Sequence, residues 1–210
     1  MKDAAVGFRV HSGWSAAVAV SLEGQVPIVL CRKRPRLVEV FNYDFRQPYH
    51  TAKKTSLPEA REFITQVKSQ AAELACGALR EIQGELKAAG YRLIAVALLL
   101  ASGRDLPSLE NILASHALIH TADGELFREA IAEACARCRL RLFRAREKDL
   151  MADAARSLRI SDAVLRKRVA ELGRPLGAPW SQDEKFATLT AWLALRSAQA
   201  ANTRHKTQLA

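Results

Sequence analysis

The segment YRLIAVALLLAS, Tyr91 to Ser102, constrains the fold more than any other part of the chain. From Leu93 to Ala101 it is continuously apolar, without the polar alternation that lets one face of a strand meet water. Such a strand must be covered on both sides, as in a parallel sheet flanked by helices. It is far too short to cross a bilayer, which takes about 20 apolar residues.

The flanking segments supply the covering helices. Upstream, Ser56 reads as a helix cap with Pro58 in the first turn. Phe63, Val67, Leu74, Ala78, Ile82 and Leu86 then recur at helical spacing, and Gly90 closes the segment. Downstream, GRDLPSLEN turns into a helix carrying His116 and His120. The stretch TADG is expected to break it, so that a second helix runs from near Asp123 to about Arg139. LRLFRA, Leu140 to Ala145, reads as a short strand, and helical patterns continue to about Ser197. The first 42 residues read as a strand meander: AVGFRVHS, SAAVAVSL and PIVLCRKRPRLVEV, with turns at SGW and at EGQV. Pro27 and Pro35 suit strand starts or an edge.

Three strands, helix, strand, helix, strand, helix is the order of an α/β fold: a three-stranded antiparallel meander continuing into a parallel sheet, with helices on both faces. Residues 1–196 are expected to form one domain, since 49% apolar residues in a 210-residue chain suffice for a sizeable core. Residues 197–210 are polar and read as a flexible tail. MKDAAVGFRV lacks the apolar core of a secretory signal, which makes a cytoplasmic location the expectation. Cys135 and Cys138 form a C-x-x-C inside a predicted helix, with no second pair to complete a zinc site, and read as small buried residues. The net charge of +10 favours a polyanionic partner, nucleic acid or another phosphate-bearing ligand.

VGFRVHSGWSAAVAV resembles the first hairpin of the RuvC-type Holliday junction resolvases, a branch of the RNase H-like superfamily, and LGAPWSQDEKFATLTAWLAL is similar to their last helix. The resemblance implies an RNase H-like fold and two-metal phosphodiester hydrolysis. In that chemistry carboxylates from the first strand, the fourth strand and the last helix hold Mg²⁺ ions about 3.5 to 4 Å apart. Position by position, the first-strand slot falls on Arg9 or a neighbour, and the fourth-strand slot falls within ALLLAS. Only Asp183, with Glu184 beside it, fills an acidic place. One carboxylate cannot hold two hard cations, so a kept fold with changed chemistry is expected.

Sites in such sheets gather at the strand ends. There the chain carries His11, Ser12 and Trp14 after the first strand, and Ser102 and Arg104 after the fourth. His11, Ser12, His116, His120 and Glu125 are the candidate catalytic set. Arg9, Gln47, His50 and Arg104 are candidates for holding phosphate. His116 and His120, four residues apart on one helix face, could share a divalent metal with Asp183, His11 or His50, and nitrogen ligands would favour zinc or a similar ion over magnesium. Asp123 is an alternative to Glu125 as oxygen ligand or base. The same two histidines also continue an apolar stripe with Leu109, Ile112 and Leu113, a position where they would only hydrogen-bond beneath a loop.

AARSLRISDAVLRKRV, Ala154 to Val169, resembles the helix-turn-helix of bacterial transcription regulators, although Arg159 stands where such motifs commonly carry glycine. That resemblance implies major-groove binding through Arg159, Arg166, Lys167 and Arg168. An αα-hairpin with no such role has the same pattern. Two functions follow: a divergent nuclease-like or phosphate-ester hydrolase with a His/Ser/Arg site, or a non-catalytic nucleic-acid-binding protein using residues 154–171.

Overall fold

The structure is a computed structural model and describes residues 1–101 and 105–208, with side chains to residue 201. Strands β1 (Lys2–His11), β2 (Trp14–Glu23), β3 (Val26–Lys33), β4 (Tyr91–Leu100) and β5 (Leu142–Arg146) form one sheet in the order β3-β2-β1-β4-β5. β1, β2 and β3 pair antiparallel, and β4 and β5 add in parallel, with Phe8 beside Ala17 on one side and Leu98 on the other. This is the meander running into a parallel sheet that the sequence predicts.

The helices are α1 (Tyr43–Arg46), α2 (Pro48–Ala52), α3 (Leu57–Ala88), α4 (Leu109–Ala114), α5 (His116–Arg137), α6 (Leu150–Leu158), α7 (Asp162–Leu172) and α8 (Gln182–Gln208). Ser56 begins α3 as anticipated, its N–H and hydroxyl both donating to the Glu59 carboxylate at 2.9 and 2.7 Å. One sheet face, with Val6, Phe8, Val10, Val96 and Leu98, packs under α3 and α5. The other, with Ala5, Val18, Val20, Ala97 and Leu99, packs under α8. β4 is covered on both sides, which is why its sequence carries no alternation.

Two expectations change. TADG does not break a helix: α5 runs unbroken through Asp123 and Gly124, and the break falls at Ser115, which is extended and whose hydroxyl accepts from Leu118 N–H at 3.4 Å. The last helix, expected to end near Ser197, continues as α8 to Gln208. No helix among the described residues is long and apolar enough to cross a membrane.

α8 lies unusually close to the sheet. A Cβ built on Gly7 would stand 2.0 Å from the Ala187 carbonyl oxygen, so only glycine lets β1 and α8 touch there. Ala187, Ala191, Ala194 and Ala198 form the small, buried stripe that completes the contact. α6 and α7 cover the outer side of α8 with Leu150, Ala154, Leu165 and Val169.

Candidate functional site

The Gly7–Ala187 contact sets what happens at the end of β1. Arg9 and His11 follow Gly7 on the same face, and Asp183 lies one turn before Ala187, so these side chains are forced together. Arg9 pairs with Asp183 through one guanidinium nitrogen and with Glu147, just past β5, through the other at 2.8 Å. His11 Nε2 is 3.0 Å from Asp183 Oδ1, without the alignment of a hydrogen bond. The His11 ring stacks on Trp14 with centroids 4.5 Å apart, Arg34 lies over Trp14 at 5.0 Å, and Arg34 reaches Glu184 at 2.7 Å. Burial alone would raise the Glu184 carboxyl. The hydrogen bonds from Ser181 and Arg34 outweigh it and hold the group down at about 2.

A second cluster sits on the other face. His116 and His120 lie one turn apart at the start of α5, their Nε2 atoms 3.1 Å from each other. α2 brings His50 against them, its ring centroid 5.6 Å from His116 and 4.5 Å from His120. One metal-ligating atom from each of the three histidines lies within 4.8 Å of the others. Asp123, one turn further along α5 and buried, accepts from His50 Nδ1 at 2.5 Å and from the Tyr49 N–H at 2.7 Å. Burial pushes the Asp123 carboxyl up, against those two hydrogen bonds.

No family model matches the chain, and no curated protein matches it. Among solved structures it is similar to T. thermophilus RuvC in complex with Holliday junction substrate, at 12% identity and a TM-score of 0.53, covering 94% of this chain and 96% of that one. A second structure of Thermus thermophilus RuvC has the same identity and coverage and a TM-score of 0.49. The fold is RNase H-like. At 12% identity the likeness extends to the fold alone.

The residues at this RNase H-like centre do not fit a pair of magnesium ions. The first-strand place holds Arg9, a fixed cation, and its neighbours on the same face of β4 are Ala97 and Leu99. Of the carboxylates left, Asp183 and Glu147 are both bound to Arg9, and Glu184 is buried against Arg34 and Ser181. A guanidinium between two carboxylates already occupies the place where a cation would be drawn.

The remaining candidates are scattered. Arg9, expected to meet phosphate, instead meets two carboxylates from within the fold. Asp183, grouped by the sequence with His116 and His120, belongs to the α8 face, and His50 takes its place beside the pair. Ser12 lies in the β1–β2 turn, where its carbonyl accepts from Arg46 Nε at 3.1 Å. Gln47 joins α1 to α2. Glu125 points to Arg128 at 3.0 Å, and Asp123 supplies the carboxylate of the histidine cluster. Ser102 and Arg104 lie outside the described residues. In the αα-hairpin, Arg159 takes the left-handed conformation (φ 54°, ψ 43°) that glycine usually provides, and Arg166 pairs with Asp162 at 2.7 Å. Glu147 and Arg34 were not among the sequence candidates, although Glu147 stands immediately after a strand end, where sites of this fold gather.

Proposed function

We propose that the protein is a nucleic-acid-binding member of the RNase H-like fold whose acidic centre is closed by Arg9, and that it grips phosphate along the edge formed by the β1–β2 turn and the segment after β3. One observation carries this reading. Arg36 and Arg46 both lie over the exposed Phe41 ring, at 5.1 and 4.5 Å, and among the described residues neither forms an ion pair. The edge is anchored rather than loose: Leu37 N–H donates to Gly13 O at 2.8 Å, and Trp14 bridges Arg36. Exposed Tyr43, Lys53 and Lys54 extend the same surface, and uncompensated cations interleaved with aromatics suit a single strand or a branched backbone. That the similar RuvC structure holds a Holliday junction substrate supports the choice of partner.

A second reading, a nuclease-like phosphate-ester hydrolase, is favoured by the histidine cluster, where Asp123 fixes the proton of His50 on Nδ1 and leaves Nε2 free beside two further imidazoles. Fluorescence anisotropy on labelled duplex and branched DNA over a salt series tests the first reading, and gel analysis of the same DNA with Mg²⁺ tests the second. Binding should weaken steeply with salt, the Arg36→Ala/Arg46→Ala double variant should lose affinity for both DNAs, and both DNAs should stay intact. Unchanged binding by the double variant would sink the binding proposal, and cleavage lost in His116→Ala would replace it with the hydrolase.

A further inference from the structure

We infer that His50, His116 and His120 form a mononuclear site for a zinc-class divalent metal, with Asp123 as the group that orients His50, on the sheet face opposite Arg9 and Asp183. The inference is independent of nucleic-acid binding at the basic edge.

Four features carry it. His116 and His120 occupy adjacent turns of one helix, and their Nε2 atoms stand 3.1 Å apart. Two nitrogens on a tetrahedral zinc, each about 2.0–2.1 Å from the metal, are separated by roughly the same distance. His50 comes from a different element, α2, so the set is not a chance pair on one exposed helix. Its Nδ1 is committed to Asp123, which fixes the tautomer with the Nε2 lone pair bare. That carboxylate–histidine arrangement is what ligating imidazoles ordinarily carry behind them.

The burial gradient has the same sense. Asp123 is 2% exposed, the His50 side chain 14%, and His116 and His120 face solvent, so the orienting group is inside and the ligands point outward. Tyr49 N–H holds the second carboxylate oxygen at 2.7 Å, so Asp123 is fixed from two directions and has no freedom to become a fourth ligand. Three neutral nitrogens select a borderline metal such as Zn²⁺ or Co²⁺ and discriminate against Mg²⁺ and Ca²⁺, which need oxygen. With three protein ligands one position stays open, the coordination of zinc sites that act on a ligand rather than of those that only brace a fold.

Isothermal titration of the metal-stripped full-length chain with Zn²⁺, and visible spectra after Co²⁺ addition, test the site. One ion per chain is expected, with the intense visible bands of tetrahedral cobalt. His120→Ala should abolish that stoichiometry, and His11→Ala should leave it unchanged. Asp123→Asn should weaken zinc by about 10- to 100-fold, the usual effect of losing an orienting partner. Because Asp123 is buried, circular dichroism of that variant is recorded alongside, and Lys87→Ala, at an exposed position near the end of α3, serves as a folded control that keeps full affinity. No stoichiometric zinc in the native chain overturns the inference. So does zinc binding that His50→Ala and Asp123→Asn leave intact, which would mean only a surface pair of histidines. Inorganic phosphate bound in place of zinc, and lost in His116→Ala, would make the cluster an anion site and overturn it as well.

Discussion

Arg9 and Glu184 set the electrostatics where β1 meets α8. Arg9 carries its positive charge permanently, so Asp183 and Glu147 are neutralised without any ion from solution. Glu184 is fully buried and survives as an anion because Ser181 and Arg34 donate to it. Its carboxyl ionises at about 2 in the fold against an ordinary 4.5. Folding therefore favours the ionised form. The resulting stability is fully present above about 4.5 and is lost as pH falls toward 2, in total about 3 kcal/mol for a shift of this size. Urea unfolding of Glu184→Gln should show a loss of that order at neutral pH and a flatter decline on acidification. Parallel pH curves for the variant and the native chain would mean that Glu184 contributes nothing to acid sensitivity. Arg9, His50, His116 and His120 were all legible as chemically distinctive residues in the sequence. Their partners were not, because a pairing across 138 residues, as between Arg9 and Glu147, leaves no local pattern.

Elements were readable where one periodicity dominated. β4 and α3 emerge from the sequence because a strand buried on both faces and a long capped helix each impose a pattern with no rival. The α4–α5 region did not, because Thr121, Asp123 and Gly124 resemble a helix breaker. Gly124 is tolerated inside α5, with the Arg128 guanidinium lying over its open side, and Ser115 supplies the real cap. Moving the break matters for the site: with α5 continuous, His116, His120 and Asp123 fall at i, i+4 and i+7 on one face. The most constraining contact between elements is β1 against α8 at Gly7. Gly7→Ala would put a methyl carbon into the Ala187 carbonyl, and neither backbone can yield without breaking the sheet register or the helix. We expect a loss of about 3 kcal/mol or failure to fold, read by thermal melting. By contrast, Gly77→Ala in α3, where a Cβ meets nothing within 4 Å, should be neutral or stabilising by up to about 1 kcal/mol. Equal melting temperatures for the two variants would mean that α8 can shift, and the placement of Asp183 over Arg9 would lose its structural cause.

At the scale of the whole molecule, the net charge of +10 is distributed unevenly, and that decides which surface should meet a polyanion. Lys33, Arg61, Lys68, Arg92 and Arg137 are tied to carboxylates on the surface. Among the described residues, basic side chains without an ion pair stand on the edge with Arg36, Arg46, Lys53 and Lys54, on the outer side of α7 with Lys167 and Arg168, and around β5 with Arg139, Arg141, Arg144 and Arg146. α7 has spent its apolar side on α8, where Leu165 and Val169 are buried, and its leading arginine, Arg166, is held by Asp162. The edge, in contrast, fixes two guanidiniums on one aromatic ring beside a hydrogen-bonded turn, so it loses less side-chain freedom on meeting phosphate. The Arg36→Ala/Arg46→Ala double variant should therefore lower the slope of log affinity against log salt by roughly two phosphate contacts, at about 0.9 each on duplex. Lys167→Ala/Arg168→Ala should change the slope by less than half as much. If α7 instead entered the major groove, the order would reverse, and the α7 variant would also lose discrimination between duplex sequences while the edge variant kept it. Anisotropy titrations of both variants at a series of salt concentrations on two unrelated duplexes separate these outcomes.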